Sequence, residues 1–551
     1  MRPSSKQLLV ALAAAATISV DAAGLKTQQL TASAQSLLEW SNFVNDGRFD
    51  NSYKYISYPD NGPWSVRFTA WYTAGLLYRN KGNDTANAKA AVESILSCQY
   101  TEDYDSAWYG TFKLSPDEPD PTPDSEIYPP KIYDTYDPNW REFVGTQFVQ
   151  IVEEFSDLLG PDLVSRIEDS LEIAAVGAMR RNGSFPEGDN LTPAYTNPAV
   201  MRAWFVGWIG ARRNNATFTD FANAQGNAIF ELFTFDGQDV FSEYNSPSYY
   251  GLDVWALAGS IKYGAPNATI SKHAPYMLTK MWDDVAAHYN PYLRNLVGPY
   301  DRAYSRDLMS NSVIINYFFW SLYGYGVGPH VPKFEGDSLY DVAQGAALAL
   351  VTDTVAEHIS NTTAAHLQAS GPWEGEHFIE KKVPEWDGTS RIVTSWMSSS
   401  LMIGGQQVNE TTNRGNQYVP ALVQWAGDRS HEPAPYMTFF SLYPSASTID
   451  AVAGPKSLSI SYPNTTQDGT DIFTFAIAQI PPSYLLKEKK TINGLEDLPC
   501  LNVTVEAEGL VKQPVAYGAS LRNNRIYNVS YVVPQNFTGT PKVKMMFDYT
   551  C

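Results

Sequence analysis

Apolar residues recur every three or four positions along the first two thirds of the chain, and every second position along the last third. The first rhythm belongs to helices with one buried stripe, and it predicts helices over Leu30–Val44, Val66–Leu77, Phe143–Leu159, Val164–Met179 and Val200–Ile209. It continues over Phe218–Phe233, Leu252–Ile261, Ala274–Ala287, Leu308–Leu322 and Val342–Val355. Gly62-Pro63, Gly160-Pro161, Gly264 to Pro266, Gly298-Pro299 and Gly328-Pro329 separate these stretches as turns. Consecutive helical hairpins close into a ring or stack into a solenoid. No fixed-period consensus is present, which disfavours the solenoid. The expected first domain is therefore an (α/α) toroid, whose loops converge on a groove.

The second rhythm begins near residue 370. Arg391 to Met397, Ser457 to Tyr462, Ile472 to Ala478, Leu501 to Val505, Arg525 to Val533 and Val543 to Phe547 read as short strands between Gly, Pro and Asn turns. Such strands predict an antiparallel β-sandwich. The fold class expected is thus α+β and multidomain: a toroid over residues 24–370, a β-sandwich over 371–551, and a polar linker from Asn361 to Pro372.

Residues 1–23 read differently. Arg2 and Lys6 precede an apolar run from Leu8 to Val20, and the small residues Ala22 and Ala23 follow, the signature of a signal peptide. No later stretch has the ~18 consecutive apolar residues of a membrane span. Acceptor sequons recur at Asn83, Asn182, Asn190, Asn215, Asn267, Asn361, Asn409, Asn464, Asn502, Asn528 and Asn536. A secreted, N-glycosylated protein is expected, on the surface of which those asparagines lie, and a monomer. Of the three cysteines, Cys500 and Cys551 flank the last segment and suit a pairing; pairings through Cys98 stay open.

A net charge of −20 excludes a nucleic-acid binder and demands a locally basic cleft for any polyanionic ligand. Aromatic residues make up 13% of the chain, with 34 Tyr and 14 Trp, a surplus suited to lining a sugar groove. No phosphate loop, dinucleotide fingerprint or nucleophile elbow occurs, and no His/Cys spacing suits a transition metal, so no cofactor is expected. The pair Asp283-Asp284 is a place for calcium unsupported by any motif, and reads as a solvated surface pair.

Three polar clusters interrupt the helical pattern: Tyr195 to Arg202, Asp236 to Gly251, and Asp301 to Asp307. They supply Asn197, then Asn245 with Tyr249 and Tyr250, then Arg302, Tyr304 and Arg306. These are the groups needed to remove a proton beside a carboxylate. An amide and guanidiniums neutralise the anion that forms, and a phenol, its pKa drawn down by nearby guanidinium charge, moves the proton. Structural readings of the same residues are a helix cap for Asn197, a core position for one of the two tyrosines, and surface ion pairs for the arginines. Trp140, Arg141 and Glu243 are further candidate substrate contacts.

The middle cluster resembles the Asp-Gly-Ser-Phe…Tyr-Gly segment of chondroitin AC/hyaluronate-type lyases, within the superfamily that includes alginate and heparinase-type lyases. The resemblance implies a toroid followed by β-sandwich domains and cleavage of a uronate-containing glycan by β-elimination. It implies Tyr250 as catalytic acid and base, Asn197 and the pair Arg302/Arg306 as carboxylate neutralisers, and Glu374 or Glu376 as a support for the arginine. His377 is a further candidate base. The family's His, some nine residues before the Tyr, has no counterpart; Phe241, Ser242 and Glu243 stand there, with Tyr244 and Asn245 as candidate substitutes. Two other readings are carried forward. An inverting glycoside hydrolase would set Glu187 or Asp189 against Glu243, Asp253 or Asp137. A wall-polysaccharide binder would hold glycan without cutting it.

Overall fold

The computed structural model describes residues 29–58, 62–303, 313–329, 341–409, 418–431, 434–465, 468–488, 490–496, 498–519 and 525–551. The signal-peptide reading, Tyr304 and Arg306 lie outside them.

Helices α1 (Ala32–Asp46), α2 (Val66–Arg79), α3 (Asp84–Leu96), α4 (Trp140–Leu159), α5 (Pro161–Met179), α6 (Thr196–Arg212), α7 (Ala216–Phe233), α8 (Tyr250–Lys262), α9 (Thr269–His288) and α10 (Val313–Tyr323) follow in order. Short α11 (Gly345–Ala349), α12 (Thr352–Glu357) and α13 (Asn361–Leu367) complete the domain. Even-numbered helices touch one another in sequence, α2 to α4 to α6 to α8 to α10, and α11 joins α10 back to α2, closing the ring. Odd-numbered helices pack outside it, as α5 does on α4 and α6, and α7 on α6. Burial follows this layering. Every residue of α6 from Thr196 to Gly210 and of α8 from Tyr250 to Ser260 is buried, whereas α7 buries only Phe218, Ala222, Gly226, Ile229 and Phe233. A helix enclosed on all sides is apolar all round, and one facing water keeps a stripe.

Local chemistry sets the helix starts. The Ser65 hydroxyl accepts the Phe68 N–H to cap α2, Asn215 does the same for α7, and Pro161 opens α5. The expected helix Val342–Val355 is instead a 3-10 turn at Asp341–Gln344 followed by α11 and α12. Val351 leaves the helical region there, at φ −108° and ψ 2°. The expected linker is partly helical: Ser360 caps α13 by accepting the Thr363 N–H.

The β domain is a two-layer antiparallel sandwich. One sheet runs β5 (Glu376–Pro384), β6 (Ser390–Ser398), β7 (Leu401–Asn409), β8 (Ala421–Asp428), β9 (Tyr436–Pro444), β12 (Ile472–Ala478) and β16 (Arg525–Val532). The other runs β13 (Leu501–Glu506), β17 (Lys542–Tyr549), β11 (Ser457–Ser461) and β10 (Thr448–Gly454), and β10 pairs with the far end of β7. Trp425, Phe440 and Phe475 meet Ile460, Val543 and Met545 between the layers. The two-residue strands β1 to β4 lie at Ile56–Ser57, Trp64–Ser65, Tyr289–Asn290 and Asn295–Leu296, and β14 (Val511–Lys512) and β15 (Ala516–Ala519) pair with the edge of β16. A disulfide joins Cys500 to Cys551; Cys98 is free and buried, with the Tyr55 hydroxyl 3.2 Å from its sulfur.

The outer face of the first sheet lies on the helices: Leu422, Phe439, Ala476 and Ile526 belong to the helical core. Tyr300 exchanges both backbone hydrogen bonds with Val419, and the Ser395 hydroxyl donates to the Gly298 carbonyl at 2.7 Å. At Gly404 a Cβ would stand 2.0 Å from the Gly298 carbonyl, so only glycine lets the two backbones touch. The sandwich thus positions the loop 298–303, which enters the toroid's mouth.

Candidate active site at the toroid mouth

The N-terminal ends of the inner helices point the same way, because each outer helix returns the chain. Asn139, just before α4, donates its amide to the Tyr195 hydroxyl, just before α6, at 3.2 Å. The Tyr195 and Tyr249 rings, at the starts of α6 and α8, lie 6.2 Å apart. Arg67, in the first turn of α2, is within electrostatic reach of Asp137 and Tyr249. Four helix N-termini therefore converge, and their dipoles favour anions at the mouth, where Ser65 already caps α2 and the Glu243 carboxylate already accepts from α6.

Two loops fill the space beneath. Arg302 donates through Nε to Glu243 at 2.8 Å and places its guanidinium 5.5 Å from the Tyr195 ring centre. The other Glu243 oxygen accepts the Thr196 N–H and hydroxyl, each at 3.0 Å, at the first turn of α6. Asn245 and Arg302 both have φ +49°, a conformation that costs about 1–3 kcal/mol and persists only when neighbours hold it. They are held. Asn245 donates its amide to the carbonyls of Val297 at 2.7 Å and Pro299 at 2.8 Å, and its backbone N–H to the Tyr250 hydroxyl at 2.7 Å. Asp301 accepts from the Tyr244 N–H and Gln406, each at 3.0 Å, and from Arg391 of β6, which also donates to the Ser242 carbonyl at 2.6 Å.

Tyr250 is 3% exposed, and its hydroxyl donates to Asp284 at 3.3 Å. Burial first, and Asp284 second, push its pKa well above the ordinary phenol value. The expected lowering by guanidinium charge is reversed, because Tyr250 faces a carboxylate in the core. The Tyr244 hydroxyl contacts Asp284 at 3.2 Å and His288 Nε2 at 3.1 Å, while His288 Nδ1 donates to the Asp284 carbonyl. Asp284 is thus an internal anchor, not a solvated surface residue; its neighbour Asp283 accepts from Thr363. Tyr249 is half-buried beside Tyr195 and is the phenol of the pair at the mouth.

Asn197 and Asp253 are among the buried groups that lack hydrogen-bond partners within the described residues, as are Glu142, Gln147 and Gln344. Asn197, second residue of α6 and 1% exposed, has both amide atoms unmatched. Asp253, fully buried one turn into α8, accepts no full hydrogen bond on either oxygen, although the nearby Thr196 hydroxyl, bonded to Glu243, acts to lower its pKa. Burial, with Glu243 adding to it, raises the Asp253 pKa well above the ordinary carboxyl value. Burial also raises Glu243, against the opposing pull of Arg302, and raises Asp137 against Arg181 and Arg67.

Of the sequence-expected residues, the fold gathers Asn197, Glu243, Asn245, Tyr249, Tyr250 and Arg302. Others stand apart. Arg141 is 1% exposed and donates to the carbonyls of Tyr109, Ala107 and Pro138, so it fastens the segment before α4. Trp140 is a core residue at 5% exposure. Glu374 is exposed; Glu376 is exposed and accepts the Trp396 indole N–H at 3.2 Å. His377 is exposed on β5, its pKa lowered by partial desolvation and by His288 and His366. Glu187 is exposed, and Asp189 is bound to Arg181 at 2.7 Å. Sequence reading missed Arg67 and the Asp284–His288 pair; the one signal for Arg67 was a lone cation in the first turn of an apolar helix. Among the described residues no group of three or more His, Cys, Asp or Glu is placed to hold a metal ion, and no helix is long and apolar enough to cross a membrane.

The chain belongs to the family described as "Domain of unknown function (DUF8769)", whose model matches residues 35–353; a second model, "Domain of unknown function (DUF8770)", matches residues 375–548. No protein of curated function matches. Among solved structures the chain is similar to the chondroitin AC lyase of Streptomyces coelicolor A3 in complex with chondroitin sulphate, at 10% identity and TM-score 0.38, over 95% of this chain and 80% of that one. It is similar to the heparan sulfate lyase HepC of Pedobacter heparinus at 9% identity and TM-score 0.32, over 94% and 88%. It is also similar to the endoglucanase CelQ of Clostridium thermocellum at 9% identity and TM-score 0.26, over 93% and 92%.

Proposed function

We propose that this member of the DUF8769 family is a secreted, N-glycosylated and monomeric polysaccharide lyase that cleaves a uronate-containing glycan by β-elimination at the toroid mouth. The observation that carries the proposal is the buried, unmatched Asn197 amide at the start of α6, next in the chain to Thr196, which Glu243 links to Arg302, and among converging helix N-termini. An amide held without a partner is costly unless a ligand completes it. A carboxylate seated there accepts from Asn197 and Arg302, so charge that spreads onto it as the C5 proton leaves is stabilised by donors already in place. The C5–H bond breaks, a C4–C5 double bond forms, the C4–O bond opens and the leaving oxygen takes a proton. Tyr249 is the phenol placed to accept and return that proton. Tyr250 is a positioning residue, which fixes Asn245 through its backbone N–H.

An inverting hydrolase is the second reading, favoured by Asp137, whose raised pKa is the state a general acid requires. The test is a panel of uronate polymers and neutral glucans, following alkene absorbance and new reducing ends together. Both signals rising on a uronate polymer support the lyase. Reducing ends without alkene sink it and support the hydrolase.

A further inference from the structure

A second concavity lies on the β domain, away from the helix N-termini. The β5–β6 hairpin, the end of β7 and Tyr418 enclose about 360 Å³, lined by Glu385, Trp386, Asp387, Thr389, Arg391 and Asn409, among others. That volume is within the ~300–1,000 Å³ range of small-molecule sites. Its wall carries an indole that folding leaves in water: Trp386 is 55% exposed. A tryptophan side chain has 150–250 Å² to bury, so one left open over a cleft is a platform awaiting a flat apolar face.

The polar lining restricts what that face belongs to. Arg391 forms the floor at 9% exposure, and its guanidinium is already engaged by Glu385, Gln406, the Ser242 carbonyl and Asp301. With Glu385 paired to Arg391, the remaining charge is that of Asp387, which repels an acidic sugar. The Asp387 carboxylate is oriented by the Thr389 N–H at 2.9 Å and hydroxyl at 2.6 Å. A pyranose without charge meets all of these terms: its C–H face lies on the indole and its hydroxyls donate to the carboxylates. Asn409, exposed on the rim, is also the acceptor of the sequon Asn409-Glu410-Thr411.

We propose that this cleft binds an uncharged pyranose ring stacked on Trp386, the sugar belonging either to a free neutral glycan or to the chain's own glycan on Asn409. The cleft shares Arg391 with the base of the mouth, but its test does not read elimination. Full-length protein is prepared as wild type, Asn409→Gln, Trp386→Ala and the double variant. Calorimetric titrations of Asn409→Gln and of the double variant use cellotetraose, mannotetraose, xylotetraose and a uronate tetramer. Hydrogen exchange of residues 385–391 is followed in wild type and Trp386→Ala, before and after enzymatic deglycosylation. A free-glycan site is shown by a neutral tetraose binding Asn409→Gln at least about tenfold more tightly than both the uronate and the double variant, a factor equal to ~1.4 kcal/mol. An own-glycan site is shown by protection of 385–391 that disappears on deglycosylation and is absent in Trp386→Ala. The proposal is overturned if no neutral tetraose binds at millimolar concentration and exchange ignores deglycosylation, or if either effect survives Trp386→Ala.

Discussion

Replacing Arg391 with Met removes the cation that the β domain sends into the base of the toroid mouth. Its side chain is 10% exposed and that of its partner Asp301 is 2% exposed, so water cannot take over the lost contact. Asp301 would keep the Tyr244 N–H and Gln406 as donors but lose its countercharge, and removing one member of a buried pair costs about 3–5 kcal/mol. The contact between Arg391 and Glu385, which is 28% exposed, adds little once solvent screening is counted. Typical native stability is only ~5–15 kcal/mol, so the change is easily read from the midpoint of a urea titration followed by circular dichroism. The double variant Arg391→Met/Asp301→Asn removes both charges, and such replacements are often near neutral. A coupling of about 2–4 kcal/mol between the two sites is therefore expected. Activity should fall with the single variant as well, because Arg302 follows Asp301 and its left-handed backbone depends on that anchor. An Arg391→Met protein within ~1 kcal/mol of wild type, or a double variant that loses the sum of both singles, refutes the reasoning.

Three further outcomes are expected. Tyr249→Phe should leave the urea midpoint within about 0.5 kcal/mol of wild type and lower turnover by about 10²-fold or more, whereas Tyr250→Phe should cost about 1–3 kcal/mol by leaving the Asn245 N–H without its acceptor. Asp253→Asn should stabilise the protein at neutral pH. The folded state raises the Asp253 pKa, so it binds more protons than the unfolded chain above the ordinary carboxyl value of ~3.9, and wild-type stability falls as pH rises through that window by up to about 1.4 kcal/mol per unit. Urea titrations from pH 3 to 7 should show the gap between Asn and wild type closing toward pH 3; a gap that stays constant contradicts it. Gly404→Ala should cost more than about 3 kcal/mol, since its Cβ meets the Gly298–Pro299 peptide unit, at 2.0 Å from the Gly298 carbonyl and 2.3 Å from the Pro299 nitrogen. Thermal unfolding at an unchanged temperature would contradict that expectation.

The helical half was legible because its outer helices carry one buried stripe and its inner ones long apolar runs. Helix α3 escaped notice, since only two of its five buried residues, Val92 and Ile95, are large and apolar, the others being Asp84, Ala88 and Ala91. The sandwich was read from β6, β11, β12, β13, β16 and β17, while β5, β7 and β10 were missed along with β8 and β9. Strands β8 and β9 escaped because they are buried on both faces, between helices and the second sheet, and so lose the alternation that marks a half-exposed strand. The three polar clusters do meet, as Glu243 bonded to both Thr196 and Arg302 makes plain. Which of Tyr249 and Tyr250 faces the mouth was not legible, because adjacent residues at a helix start differ only by register. The partner that decides it, Asp284, comes from α9, and no local pattern ties it to α8.

The most direct test is alkene absorbance during incubation of a uronate polymer with wild type and with Asn197→Ala. Absorbance should rise with wild type, and Asn197→Ala, which removes the unmatched amide, should slow the rise by about 10²-fold or more while the protein stays folded. Alkene formation that proceeds at the wild-type rate in a folded Asn197→Ala protein, or reducing ends released by wild type without any alkene, contradicts the assignment of this mouth to β-elimination.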